Sequence, residues 1–131
     1  MKKSPLLFIS LFLFFSFFSC KKGSGNNPTI SYYFRGTVYL NNIPTPDITV
    51  KLGIRDSSKF IGGLDWDENR ETKTDSDGKY EFKITETHAE PHGWTWKVRA
   101  LNPGTGEWTD WIYGGTVTAG KNGAGTLDIY M

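Results

Sequence analysis

Three groups of residues in this chain have the types and spacing that chemistry would need. Glu86, His88, Glu90 and His92 alternate, and both histidines of the protein lie in this segment. On an extended backbone alternate side chains point the same way, so two imidazoles and two carboxylates would face one ion, a donor set suited to zinc, copper or nickel. Pro91 and Gly93 mark a loop end, where alternation is not enforced. A solvated polar loop accounts for the same residues and is the expectation here, with no cofactor. Trp66 lies in Asp65-Trp66-Asp67-Glu68-Asn69, and Trp108 and Trp111 flank Thr109-Asp110. An exposed indole beside carboxylates suits a sugar, whose C–H face packs on the ring while groups such as Asp65 and Asp67 bond its hydroxyls. The other reading is that these rings cover core edges. Three residues apart, Trp108 and Trp111 are not expected on one side of a regular strand.

Asp75-Ser76-Asp77-Gly78 begins like a calcium loop, but the further oxygen ligands and closing Glu of an EF-hand do not follow, so a turn explains it. No Gly-x-Ser-x-Gly elbow, phosphate-cradling glycine loop or zincin pattern is present. Asp65, Asp67 and Glu68 are close in sequence, but glycoside hydrolysis needs two carboxylates at a defined separation across a cleft. The expectation is a chain that is not an enzyme.

The elements that would position these residues read as strands. From Ile30 onward apolar residues recur with period two in short runs. Phe34, Gly36, Val38 and Leu40 share one face, with Tyr33, Arg35, Thr37 and Tyr39 on the other, until Asn41 to Asp47 breaks the run. Ile48, Val50, Leu52 and Ile54 point inward, opposite Thr49, Lys51, Gly53 and Arg55. Alternation then fails until about Glu71, which predicts a long loop. Thr72 to Ile84 is expected as a hairpin turning on Asp and Gly, with Tyr80, Phe82 and Ile84 inward. Trp94, Trp96, Val98 and Ala100 face in, with Thr95, Lys97 and Arg99 out. Trp108 to Tyr113 reads as a strand of broken phase, the mark of a bulge, and Leu127, Ile129 and Met131 close the chain on an inward face. No 3.6-residue period appears. About seven short strands of antiparallel type, with one apolar face each, need a second sheet to cover them, which predicts an all-β two-sheet sandwich.

The start of the chain reads differently. Lys2 and Lys3 precede an apolar run from Leu6 to Phe18, which ends at Ser19-Cys20. This is the order of a secretory leader, and the run is shorter than the roughly 20 residues of a membrane span. Ser19-Cys20 resembles the lipobox of bacterial lipoproteins, although Phe17 and Phe18 stand where a Leu and a small residue are commonest. The resemblance implies cleavage before Cys20 and acylation of that residue, the only cysteine of the protein. Several acyl chains (palmitate among them) anchor stably where one binds marginally. Three parts follow: a signal peptide at 1–19, a lipidated Cys and flexible tether at 20–29, and a β-sandwich at 30–131. In that family Lys21 does not resemble the aspartate that retains lipoproteins in the inner membrane, and the tether lacks an acidic surface-export cluster. The expected location is the outer membrane, on its periplasmic side.

A leader of 19 residues leaves 112 of 131, enough for one domain. The whole chain carries a formal charge of +1, of which Lys2 and Lys3 supply two positive charges, so the remainder is near −1. No basic stripe suggests nucleic acid. Consuming Cys20 leaves no thiol for disulfides, catalysis or metal ligation.

Several segments together resemble the transthyretin-like or carboxypeptidase-regulatory-like β-sandwich family (Ig-like in architecture). They are Gly36-Thr37-Val38, Pro46 to Val50, and Thr72-Lys73-Thr74-Asp75-Ser76-Asp77-Gly78-Lys79-Tyr80-Glu81-Phe82, similar to a T-x-T-D-x-x-G-x-Y-x-F pattern. Trp96-Lys97-Val98-Arg99-Ala100 stands in the place of Y-x-V-x-A. The resemblance implies an add-on or adhesive module. A relative, the pilin-type sandwich, forms a Lys–Asn isopeptide bond, but the first strand here offers Arg35 and no Lys. The loop from Asp56 to Arg70 is longer than that family's usual connection. The function expected is a non-enzymatic, lipid-anchored interaction or assembly module with an envelope protein partner, meeting it through outward Tyr33, Tyr39 and Tyr130. The alternative is polysaccharide binding through Trp66 with Trp108 or Trp111. A sugar platform needs those rings coplanar and exposed, whereas a protein-contact face is a broad patch across one sheet.

Overall fold

The computed structural model describes residues 29–57, 65–87, 93–118 and 123–131. Cys20, His88, Glu90 and His92 lie outside the described residues. The chain forms β1 (Thr29–Leu40), β2 (Ile43–Pro44), β3 (Thr49–Asp56), β4 (Asp67–Lys73), β5 (Lys79–Thr87), β6 (Gly93–Ala100), β7 (Ile112–Thr118), β8 (Gly123–Thr126) and β9 (Ile129–Tyr130). They make an all-β sandwich of a five-stranded and a four-stranded sheet.

β1 is the spine of the first sheet. It pairs antiparallel with β5 and β2, and parallel with β8 and β9. The two parallel pairings are a correction to the antiparallel expectation, because two- and four-residue strands leave almost no periodic signal in sequence. Asn41 and Asn42, at φ 53° and 64°, close the β1–β2 hairpin, asparagine being among the residues that tolerate the left-handed region. The second sheet has the order β4-β3-β6-β7, all antiparallel.

Side chains from both inner faces fill the core. Tyr32, Phe34, Val38, Tyr80, Phe82, Ile84 and Ile129 meet Val50, Leu52, Ile54, Trp96, Val98, Ala100 and Val117, and all are buried. Trp96 is its largest member, and its indole packs 5.2 Å from the ring of Phe34. A Cβ on Gly114 would lie 2.1 Å from Trp96 Cε2 and one on Gly125 2.7 Å from its Cζ2, so both glycines are needed for the indole to fit. The ladder between β6 and β7 shifts register between Trp96 and Lys97, opposite Gly115 and Tyr113. The expected strand from Trp108 to Tyr113 is corrected: β7 begins only at Ile112, and the phase is broken before it because residues 109–111 are not in a strand.

Two sequence expectations are corrected. Thr72 to Ile84 is not a hairpin, since β4 and β5 lie in different sheets and the turn carries the chain across the edge of the sandwich. Asp75 Oδ1 accepts the N–H groups of Asp77 and Lys79, the Asp75 N–H donates to the Lys79 carbonyl, and Gly78 takes a φ of 74°. Buried Thr74 ties the crossing to the segment that leads from β2 into β3, its hydroxyl accepting from Ile48 N–H and donating to the Thr45 carbonyl. The same turn chemistry serves a hairpin or a crossing, so sequence did not separate them. The loop predicted to last until Glu71 is also shorter, since β4 begins at Asp67.

Candidate functional site

The outward face of the second sheet is a ladder of cations and aromatic rings. The register places Lys51 opposite Arg99, Gly53 opposite Lys97 and Arg55 opposite Thr95, and all of them point away from the core. Arg55 lies over the ring of Trp66 at 4.8 Å, and Lys97 over Trp66 at 4.5 Å and Trp111 at 4.2 Å. Arg99 lies over Trp111 at 4.4 Å and Trp108 at 4.9 Å, and Lys51 over Trp108 at 4.9 Å. The series Arg55, Trp66, Lys97, Trp111, Arg99, Trp108, Lys51 is therefore continuous. Same-face neighbours on a strand are about 6.7 Å apart, close to two van der Waals contacts of about 3.5 Å each. That spacing leaves room for one flat ring, Trp111, between Lys97 and Arg99 on β6.

Lys97 is the centre of the ladder. It is only 5% exposed although its strand position faces outward. Its Nζ meets Glu68 Oε1 at 2.5 Å and lies 6.0 Å from the ring centre of Tyr113. Burying an ammonium is costly unless its charge is compensated, and here a carboxylate and three rings do so. A Cβ on Gly53 would lie 2.8 Å from Lys97 Cε, so the bare glycine lets the lysine stem cross β3 toward Glu68.

The chain supplies the rings from outside the regular strands. Trp66 directly precedes β4. Asn102 N–H donates to the Glu107 carbonyl and Gly106 N–H to that of Asn102, closing a loop that returns Trp108 to a bridge with Leu101. Thr109 N–H then donates to the Ala100 carbonyl, and its hydroxyl accepts the Ala100 N–H. This double tie fixes Trp108 and Trp111 against β6. Both contact Arg99, a correction to the expectation that they face opposite ways: residues 108–111 are not a regular strand, so alternation does not apply to them.

The proposed sugar ligands are placed as follows. Trp66, Trp108 and Trp111 are half-buried, and each has cations over its ring. Trp66 meets Tyr113 edge to face, at 66° and 5.9 Å. With two cations over each indole, the open rings of a sugar platform are not what the sheet presents. Asp67 is paired with Arg70, and that hydrogen bond holds its carboxyl below the usual carboxylate range. Asp65 is exposed and, with Asp56, Asp67, Arg70 and Trp94, lines a shallow hollow of about 240 Å³. Of the metal candidates only Glu86 is described. Among the described residues no group of three or more His, Cys, Asp or Glu could hold an ion.

The first sheet's outward face differs. Arg35 pairs with Glu81 at 3.3 Å, and Arg35 and Lys83 lie 5.0 Å and 5.8 Å from the ring of Tyr33. At the far end of β1, Tyr39 stacks on Tyr130 at 4.7 Å, with Tyr130 63% and nearby Ile43 65% exposed. A cleft of about 590 Å³ opens at the crossing, lined by Thr37, Lys73, Lys79, Glu81 and Asp128 among others. Tyr80 also lines it, and its hydroxyl donates to the Leu127 carbonyl at 2.6 Å. Burial pushes the Tyr80 phenol up, with the charge of Asp128 adding to this, so it stays protonated and serves as a donor. Two of the cleft's cations are paired, Arg35 with Glu81 and Lys73 with Asp47.

No protein-family model matches the chain, and no curated protein matches it. Among solved structures it is similar to the dioxygenase domain of a dioxygenase and carbohydrate-binding protein fusion from the cellulolytic bacterium Streptomyces sp. SirexAA-E. The two are 12% identical with a TM-score of 0.49, and the match covers 82% of this chain and 83% of that one. This neighbour overturns the expectation of a chain without catalytic activity, which is withdrawn. The likeness itself is too distant to give this chain a reaction, a substrate or a cofactor.

Proposed function

We propose that this chain is a lipid-anchored protein of the bacterial envelope whose sandwich is a protein-contact module, and that contact is made through the ladder face of the second sheet. The observation that carries this reading is the ladder itself: three Trp, two Lys and two Arg in one patch on a rigid sheet. Trp, Tyr and Arg dominate the energetics of protein interfaces because they offer large contact areas with polar ends. Tyr113 stands 61% exposed at the rim as an anchor for a partner. Lys97 and Lys51 are paired with Glu68 and Glu71. Arg55 and Arg99 have no carboxylate partner among the described residues, so the face offers positive charge to an acidic surface, which favours encounter and register. The rings carry cations over them, which disfavours the polysaccharide reading.

The anchor rests on the leader and on Ser19-Cys20. Acylation of Cys20 would hold the sandwich at the outer membrane, on its periplasmic side, and raise its effective concentration for partners there. A photo-crosslinking residue placed at Tyr113 in the full chain, in native membranes, is expected to capture a discrete partner. The same residue at Thr126, exposed on the outward face of the opposite sheet, is expected not to, and Trp111→Ala is expected to abolish capture at Tyr113. Equal capture from both faces, or polysaccharide binding lost in Trp66→Ala, overturns the contact reading. An intact-mass measurement showing an uncleaved chain or a bare Cys20 thiol overturns the anchor.

A further inference from the structure

The outer edge of β5 carries backbone groups with no partner among the described residues, and their position follows from the pairing of β5 with β1. β5 pairs with β1 in the register Phe34 with Phe82 and Arg35 with Glu81, and continuing this register the Val38 N–H donates to the Gly78 carbonyl. Gly78, Tyr80, Phe82 and Ile84 therefore turn their amide groups toward β1, and the residues between them turn theirs outward. Lys79 fits this parity, because its N–H and carbonyl are taken by Asp75 on the outer side. The next outward pairs belong to Glu81, Lys83 and Thr85, and among the described residues no backbone group bonds to them. The strand is nine residues long, with no proline and no register shift. An edge of that kind is a template for another strand unless something blunts it. The opposite sheet's edge is different: β4 reads Asp-Glu-Asn-Arg-Glu-Thr-Lys and its ladder is interrupted between Leu52 and Ile54.

We propose that two copies of this chain pair through β5, antiparallel, about a two-fold axis at Phe82. That register joins the outward groups of Glu81 to those of Lys83 in the partner copy, and the reverse, making four N–H to carbonyl bonds. It also sets a carboxylate opposite an ammonium twice. Centring on Lys83 would instead oppose two ammoniums, and centring on Ile84 would set both charged residues opposite threonines, so charge selects the first register. Phe82 and its copy meet on the inner side, and the two five-stranded sheets become one. The bonds end at Lys79, whose groups remain with Asp75.

The test is a charge exchange in the full chain, with sedimentation equilibrium in detergent over a concentration series. Wild type associates to a dimer. Glu81→Lys opposes like charges at both contacts and weakens association on the order of tenfold. Adding Lys83→Glu restores opposite charges and brings association back to near the wild-type level. Both positions face solvent; Glu81→Lys also removes the exposed pair with Arg35, so a cooperative thermal unfolding transition is required of each variant to show that it remains folded. A wild-type chain that stays monomeric at every concentration, association indifferent to Glu81→Lys, or a double variant that fails to recover each overturns the proposal.

Discussion

The two outward sheet faces are built on the same alternation, yet they are filled in different ways. On the first, Ser31, Tyr33, Arg35 and Thr37 of β1 stand beside Thr85, Lys83, Glu81 and Lys79 of β5. Its charges meet in water, as with Arg35 and Glu81, whose side chains are each about half exposed. On the second, indoles arriving from outside the strands close over the cations and leave Lys97 buried. An exposed ion pair contributes little, with a median of about 0–1 kcal/mol. A cation against a ring gains from about 0.5–1 kcal/mol when exposed to about 2 when desolvated. An outward position in a strand therefore does not mean a solvated one, because segments outside the sheet decide what covers it.

Removing a ring should break this contrast most strongly. Trp111→Ala loses a half-buried indole and frees Lys97 and Arg99 together, and about 3 kcal/mol of stability is expected to go, measured by urea unfolding. Tyr33→Ala on the other face is expected to cost less than half as much. Lys97→Ala comes next, at about 2 kcal/mol, since Glu68 loses its partner and three rings lose a cation. Lys83→Ala is its control, expected within about 0.5 kcal/mol of wild type.

Tyr80→Phe sharpens the comparison from inside the first sheet. It removes the hydrogen bond to Leu127 and is expected to cost about 1 kcal/mol. The folded state raises the Tyr80 phenol above its ordinary value of 10.0. Its contribution is thus present below pH 10 and lost as the pH climbs beyond it, where the unfolded chain ionises first. Unfolding followed from pH 9 to 11 should show a steeper alkaline decline in wild type than in Tyr80→Phe. The smallest effect is expected at Asp67. The Arg70 hydrogen bond lowers its value below 3.8, so its contribution is present above that pH and is lost as the pH falls through the folded value. Asp67→Asn should lower stability slightly at neutral pH and flatten the acid limb, so that the two proteins converge as the pH falls.

Where one face is buried, strand identity was legible in sequence. Val50, Leu52 and Ile54 and Tyr80, Phe82 and Ile84 were placed inward because one register alone buries the apolar set. The ladder was legible only as parts. Trp66, Trp108 and Trp111 could be singled out, and so could outward Lys97 and Arg99, but their meeting depends on cross-strand register and on the loop that returns Trp108 to Leu101. One signal was available in hindsight: Gly53 interrupts an outward row of Thr, Lys and Arg, and a bare position there is where a long side chain from the neighbouring strand can lie. The crossing at Asp75 to Gly78 was not legible, because turn residues report local backbone angles and not the sheet that the next strand joins.

The spine of the first sheet has a kinetic consequence. Tyr32 of β1 lies beside Gly123 of β8, and Val38 beside Ile129 of β9, each about 90 residues away along the chain. Pairings across such a separation cost loop-closure entropy before they return anything, and folds dominated by them form slowly, in about milliseconds to seconds. β1 and β5 can zip together first, while the other flank of β1 waits for two very short strands from the far end of the chain. A chain in that interval is a half-finished sheet, held open by its own order of assembly and suited to capture by a chaperone before it closes.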